Sequence, residues 1–202
     1  MPAESLSVNH DIPSPITIEQ PAAPVSVPQP VPEQPQQKSI YGKVPEIPVL
    51  EAVDGIRFDF NDGIRILFPQ NGKEYRVIFS DLDTGIILYS ADTVPGAFVT
   101  SVKKFFIRFR LQIYPKGGAE PLFPHDYNAE NREVMIQLPV GTIGDSIGWF
   151  SYVERFQLKH RCRLICVMAP HISALVRGQY PEITFIGPDE TVNYRPYACY
   201  YM

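Results

Sequence analysis

Hydrophobic positions along the chain fall into three regimes. Before about residue 50 they are scattered singly among Pro, Gln, Glu and Ser, as in Pro-Ala-Ala-Pro-Val-Ser-Val-Pro-Gln-Pro-Val-Pro (Pro21 to Pro32). Proline removes backbone donors, and so few apolar residues cannot build a core, so residues 1–50 read as a disordered or polyproline-II tail. From Val53 to Tyr114 the period is two. Ile56-Arg57-Phe58-Asp59-Phe60 alternates, Asn61-Asp62-Gly63 turns, and Ile64 to Phe68 resumes. Further turn signals at Asn71-Gly72, Asp83-Thr84-Gly85 and Pro95-Gly96 separate more strands, the longest being Phe105 to Ile113. Short strands at near-regular spacing predict a small antiparallel barrel or sandwich over 51–118.

The third regime covers 119–202. After a polar link, Glu133 to Val140 is an apolar run suited to a strand buried on both faces. A glycine turn follows, and then Ile147, Phe150, Val153 and Phe156 recur at helical spacing. Arg163 to Met168, Ile172 to Tyr180 and Ile183 to Ile186 continue as strand, helix and strand. This predicts half of a doubly wound α/β sheet. The aromatic tail from Tyr194 to Tyr201 lacks a closing element, so the expected half sheet has an unpaired edge.

Candidate chemistry concentrates at the turn after the first of these strands, because ligands of open α/β sheets sit past the carboxyl ends of strands. The turn contains Gly141, Thr142, Gly144 and Asp145. Asp145 has two readings: a helix cap accepting a backbone N–H, or a general base at the mouth of a cleft. Gly141 and Gly144 are spaced G-x-x-G with no following Lys-Ser/Thr, so neither a dinucleotide fingerprint nor a P-loop is present. Trp149 reads either as a cleft wall or as helix core.

Other features narrow the class. The formal charge of −4 gives nucleic-acid binding no help. Lys103, Lys104, Arg108 and Arg110 alternate with aromatics as on an exposed strand face. The sequence has neither an apolar run of membrane-spanning length nor a signal-peptide pattern. Cys162, Cys166 and Cys199 form no metal-ligand spacing and suit buried thiols in a reducing cytoplasm. His125-Asp126 is a possible acid/base couple, but neighbours on an extended chain point apart.

Several motifs together resemble one family. They are Gly55 to Gly63 (GIRFDFNDG), Asp81 to Gly85 (DLDTG), Lys103 to Arg110 (KKFFIRFR), His125 to Tyr127 (HDY) and Pro139 to Trp149 (PVGTIGDSIGW). In this order they resemble the bacterial autotransporter heptosyltransferases, the TibC-like enzymes, from about Val53 onward. The resemblance implies a GT-B fold of two Rossmann-like halves behind a β-rich domain, of which this chain would hold the N-terminal half. It also implies cytoplasmic transfer of heptose from ADP-heptose to serine hydroxyls of an autotransporter adhesin, by a homo-oligomeric enzyme. Asp145 would be the base, with Gly141, Thr142, Gly144 and Trp149 at the acceptor. The family's iron-binding cysteines and most of its donor site would lie beyond Met202, so the chain alone is expected to hold no metal and to be inactive. The alternative is a non-catalytic module that binds an adhesin or assembles subunits.

Overall fold

The computed structural model describes residues 41–102, 107–138 and 142–202. The proline-rich tail, the Lys103-Lys104 pair and Gly141 lie outside the described residues.

The alternating stretch forms short strands: β1 (Leu50–Glu51), β2 (Arg57–Asn61), β3 (Arg65–Leu67), β4 (Tyr75–Asp81), β5 (Ile87–Thr93), β6 (Phe98–Thr100) and β7 (Phe109–Pro115). The β2–β3 hairpin turns through Asp62 (φ 61°) and Gly63 (φ 90°). Left-handed φ is free of steric cost for glycine and tolerated by aspartate, which is why Asp-Gly serves there. β8 (Phe123–Asp126) follows where a loop is expected from the sequence. It pairs only with β7, at the edge of a four-stranded antiparallel sheet ordered β5-β4-β7-β8. An edge tolerates Pro124, whose missing N–H would break an interior ladder.

The second half runs β9 (Glu133–Gln137), α1 (Ile143–His160), β10 (Arg163–Val167), α2 (Pro170–Val176), β11 (Thr184–Ile186) and β12 (Ala198–Tyr201). The expected strand–helix–strand–helix–strand series is present. The tail differs from expectation: Ala198–Tyr201 is a strand inserted parallel to both β9 and β2. It therefore covers the edge that the sequence left open. Its brevity, four residues, hid it. The resulting sheet has eight strands among the described residues, ordered β11-β10-β9-β12-β2-β3-β6 with β1 beside β2. β9 leads outward to β10 and β11, while β12 returns on its other side, so the order reverses between β9 and β12.

Strands from either side of residue 118 share both sheets. β2, β3 and β6 extend the parallel strands, and β8 joins β4, β5 and β7. One core unites them, with Phe58, Phe60, Phe79, Leu111, Val134, Phe150 and Val153 all buried. Val134 and Ile136 face α1. Met135, Ile165, Val167 and Cys199 face the opposite side, where Val44, Tyr194 and Tyr201 pack. Gln137 fastens the 41–46 segment there: Gly42 donates its N–H to Oε1 (2.8 Å), and Nε2 donates to the Gly42 carbonyl (3.1 Å). Asp59 is fully buried and grips Arg65 through two hydrogen bonds of 2.6 and 2.8 Å. Among the described residues, no helix is long and apolar enough to cross a membrane.

Candidate functional site

α1 begins at Ile143, four residues before Ile147, the first position of its hydrophobic spacing. Thr142 is the N-cap, and Asp145 lies in the first turn. The two form a capping box: Asp145 N–H donates to Thr142 Oγ1 (3.3 Å), and Thr142 N–H donates back to Asp145 Oδ2 (3.2 Å). The Thr142 hydroxyl also lies 3.0 Å from the same Oδ2. This arrangement satisfies orphan donors of the helix start in both directions. The carboxylate's hydrogen bonds all fall on Oδ2, and Oδ1 has no partner among the described residues. The carboxylate is exposed. Asp145 thus has a capping role, but as the acidic partner of Thr142 rather than as the cap itself.

The buried side of α1 is Ser146, Phe150 and Val153, with Ile147 half-exposed at its margin. Gly144 and Gly148 are not imposed by packing. A Cβ at Gly144 would meet only Thr142 Oγ1, at 3.6 Å, and one at Gly148 would meet nothing within 4 Å. Glycine inside a helix costs about 1 kcal/mol relative to alanine, so both positions carry an uncompensated cost within this structure.

Asp145 heads a second face. Trp149, Tyr152 and Phe156 follow it at i+4, i+7 and i+11, one stripe of the helix. Trp149 and Tyr152 are about half exposed, with ring centroids 5.7 Å apart. Trp149 is therefore not helix core. The stripe forms one wall of a groove of about 340 Å³. The opposite wall is the Asp83–Arg108 ion pair (2.6 Å), and Ile136 and Met202 also line the groove. Past Lys159 and His160 it continues into a polar recess of about 420 Å³ lined by Tyr127, Asn128 and Arg161. Burial, then Lys159 and then Arg108 hold the His160 imidazole below its ordinary pKa. Tyr152, Lys159 and Asp83 escaped the sequence reading. The first two follow from counting helical turns from Asp145, whereas Asp83 comes from the turn between β4 and β5.

The other candidates separate. Asp126 forms a two-point ion pair with Arg110 (2.7 and 2.8 Å). Its neighbour His125 turns inward, with Nε2 3.0 Å from the Tyr197 hydroxyl. They are not an acid/base couple. Burial pushes the thiols up to about 11 for Cys162 and about 12 for Cys166 and Cys199. Such thiols stay protonated and are poor ligands. Among the described residues no three His, Cys, Asp or Glu side chains gather to hold a metal. These residues therefore do not fit an iron site, and no step is assigned to one.

Residues 53–117 match the family described as glycosyltransferase TibC, N-terminal domain. The chain is 45% identical over 156 residues to an autotransporter heptosyltransferase of Citrobacter rodentium, covering 77% of this chain and 37% of that protein. Identity to the Escherichia coli autotransporter heptosyltransferase TibC is 42%, over 77% of this chain and 38% of the relative. An inactive autotransporter heptosyltransferase of Burkholderia thailandensis is 36% identical over 77% of this chain and 35% of its own length. In fold, the chain matches the crystal structure of the iron-containing dodecameric glycosyltransferase TibC from enterotoxigenic E. coli. That match has a TM-score of 0.74 at 42% identity, over 79% of this chain and 41% of that one. A second TibC structure, in complex with an ADP-heptose, gives a TM-score of 0.73 at 40% identity and the same coverage. The chain thus spans about two fifths of the length of the relatives it matches. By sequence and fold together, the chain is similar to the N-terminal part of the TibC-like autotransporter heptosyltransferases.

Proposed function

We propose that this chain is the acceptor side of a protein O-heptosyltransferase, with Asp145 as general base. In this reading 119–202 is the N-terminal Rossmann-like half of a GT-B enzyme and 51–118 its β-rich front. The donor, ADP-heptose, is held mainly by a half beyond these residues, and the 202 residues alone do not transfer sugar. The acceptor is a serine hydroxyl of an autotransporter adhesin, modified in the cytoplasm by a homo-oligomer, as the dodecameric relative suggests.

The observation that carries the reading is the division of labour between the two oxygens of Asp145. Thr142 engages Oδ2 and fixes the carboxylate's direction, while Oδ1 of this exposed side chain has no hydrogen-bond partner among the described residues. A serine hydroxyl is a weak nucleophile at neutral pH. As its oxygen bonds to the anomeric carbon and the bond to the diphosphate breaks, the electron pair leaves with ADP. The hydroxyl proton passes to Oδ1. Gly144, where a Cβ would meet only Thr142 Oγ1, keeps side chains out of the acceptor's path. Capping and base roles are compatible because they use different oxygens.

The alternative, a non-catalytic adhesin-binding or assembly module, draws support from the inactive relative. Heptose transfer by a full-length enzyme carrying this chain separates the two. Under the enzyme reading, Asp145→Ala lowers turnover about 10²–10⁴-fold. Turnover untouched by Asp145→Ala removes the base assignment. Adhesin capture without any transfer by the full-length protein supports the module.

A further inference from the structure

The groove along α1 extends the acceptor site away from Asp145. From Asp145 to Phe156 the helix rises about 16 Å, the span of roughly five residues of extended polypeptide. The stripe offers two exposed rings, and the adjoining Gly148 leaves the helix backbone open to close approach.

The charge of the groove is one-sided. Arg108 is matched by Asp83, and Arg161, in the adjoining recess, lies 3.5 Å from Glu130. Arg155 and Lys159 have no carboxylate partner among the described residues, although Arg155 lies over the Tyr152 ring at 5.9 Å. The His160 imidazole is held below its ordinary pKa by burial first, with Lys159 and then Arg108 adding to the effect.

We infer that this groove binds an extended, acidic stretch of the acceptor polypeptide, its carboxylates meeting Arg155 and Lys159 while its backbone lies against Trp149 and Tyr152. The inference rests on the acceptor-side reading above and adds the chemical character of the segment beside the modified serine. The aromatic faces supply rigid contact area at low entropic cost, and the two cations select by charge.

Trp149 is the only tryptophan of the chain, so its emission reports on the groove directly. The 202-residue protein is titrated, without sugar donor, with a short serine peptide flanked by Asp and Glu. The same peptide with Lys flanks and ADP alone serve as comparisons. The acidic peptide is expected to shift the emission and to bind about tenfold tighter than the basic one, with affinity falling as salt rises. The double change Arg155→Glu, Lys159→Glu is expected to weaken it about tenfold or more, with an unchanged circular dichroism spectrum. Tyr152→Phe, which keeps the ring, is expected to bind normally, and Tyr152→Ala to bind weakly. Equal affinity for both peptides, no emission change, or a response to ADP in place of peptide would overturn the inference. Because no sugar is transferred, the outcomes separate. Absent binding alongside transfer lost in Asp145→Ala sinks the groove alone. Clear binding alongside transfer retained in Asp145→Ala sinks the base alone.

Discussion

At the residue scale, the site is an arrangement of hydrogen bonds around one carboxylate. Thr142→Ala removes the hydroxyl that caps α1 and fixes Asp145. It is expected to cost about 1 kcal/mol of stability in urea unfolding, whereas Thr142→Ser keeps the contacts. Gly148→Ala tests the opposite trade: with nothing within 4 Å of the new methyl, it should raise stability by up to about 1 kcal/mol. If the acceptor needs that bare backbone, the same change weakens peptide binding. His125 adds a pH dependence. Burial first, and then Arg132, depress its imidazole below the ordinary 6.5, partly opposed by Asp126. The Asn128 N–H donates to the Tyr197 hydroxyl, which leaves that hydroxyl's proton for a neutral His125 Nε2. The unfolded chain thus binds a proton more readily than the folded one. This contribution to stability is complete above about pH 6.5 and is lost as pH falls from there through the lowered folded value. Thermal unfolding should show melting temperature dropping from pH 7 to 5, less steeply in His125→Gln. His160, shifted in the same direction, keeps some of the slope.

At the scale of elements, legibility followed periodicity and failed where partners decide. The alternation around Ile56 to Phe60 and the Asp62-Gly63 turn gave β2 and its hairpin, because side-chain period and backbone sign are local properties. The run Val134-Met135-Ile136 gave β9 for the same reason. The start of α1 was misplaced because Thr142 acts through a hydrogen bond and not through hydrophobicity, so Asp145 looked like the cap. β8 and β12 were missed because four residues carry too little pattern. They are strands only because β7, β9 and β2 offer edges to pair with. The groove was legible on one side only: the turn from Asp145 to Trp149 follows from helix geometry, while the opposing Arg108–Asp83 pair is tertiary. The buried Asp59–Arg65 pair is likewise invisible in sequence. It also tethers the approach to β2, since Val49 N–H donates to Asp59 (3.2 Å) and Arg65 donates to the Pro45 carbonyl (2.9 Å). Asp59→Ala strands a guanidinium in the interior, and should cost about 3–5 kcal/mol by denaturant unfolding.

At the scale of the whole molecule, shared sheets bind the β-rich stretch to the α/β stretch. Cutting after residue 118 would strip β12 from β2 and β8 from β7. A 51–118 fragment is expected to lack a cooperative thermal transition, whereas 41–202 unfolds in one step. That continuity brings Asp83 and Arg108 into one groove with Trp149, Tyr152 and Phe156 of α1. Heptose transfer to adhesin by the full-length enzyme, compared between Asp145 and Asp145→Asn, tests the central claim most directly. Asparagine keeps an oxygen for Thr142 but cannot accept the serine proton. The expected result is an intact α1 with turnover lowered about 100-fold or more; turnover equal to that of the unaltered enzyme would contradict it.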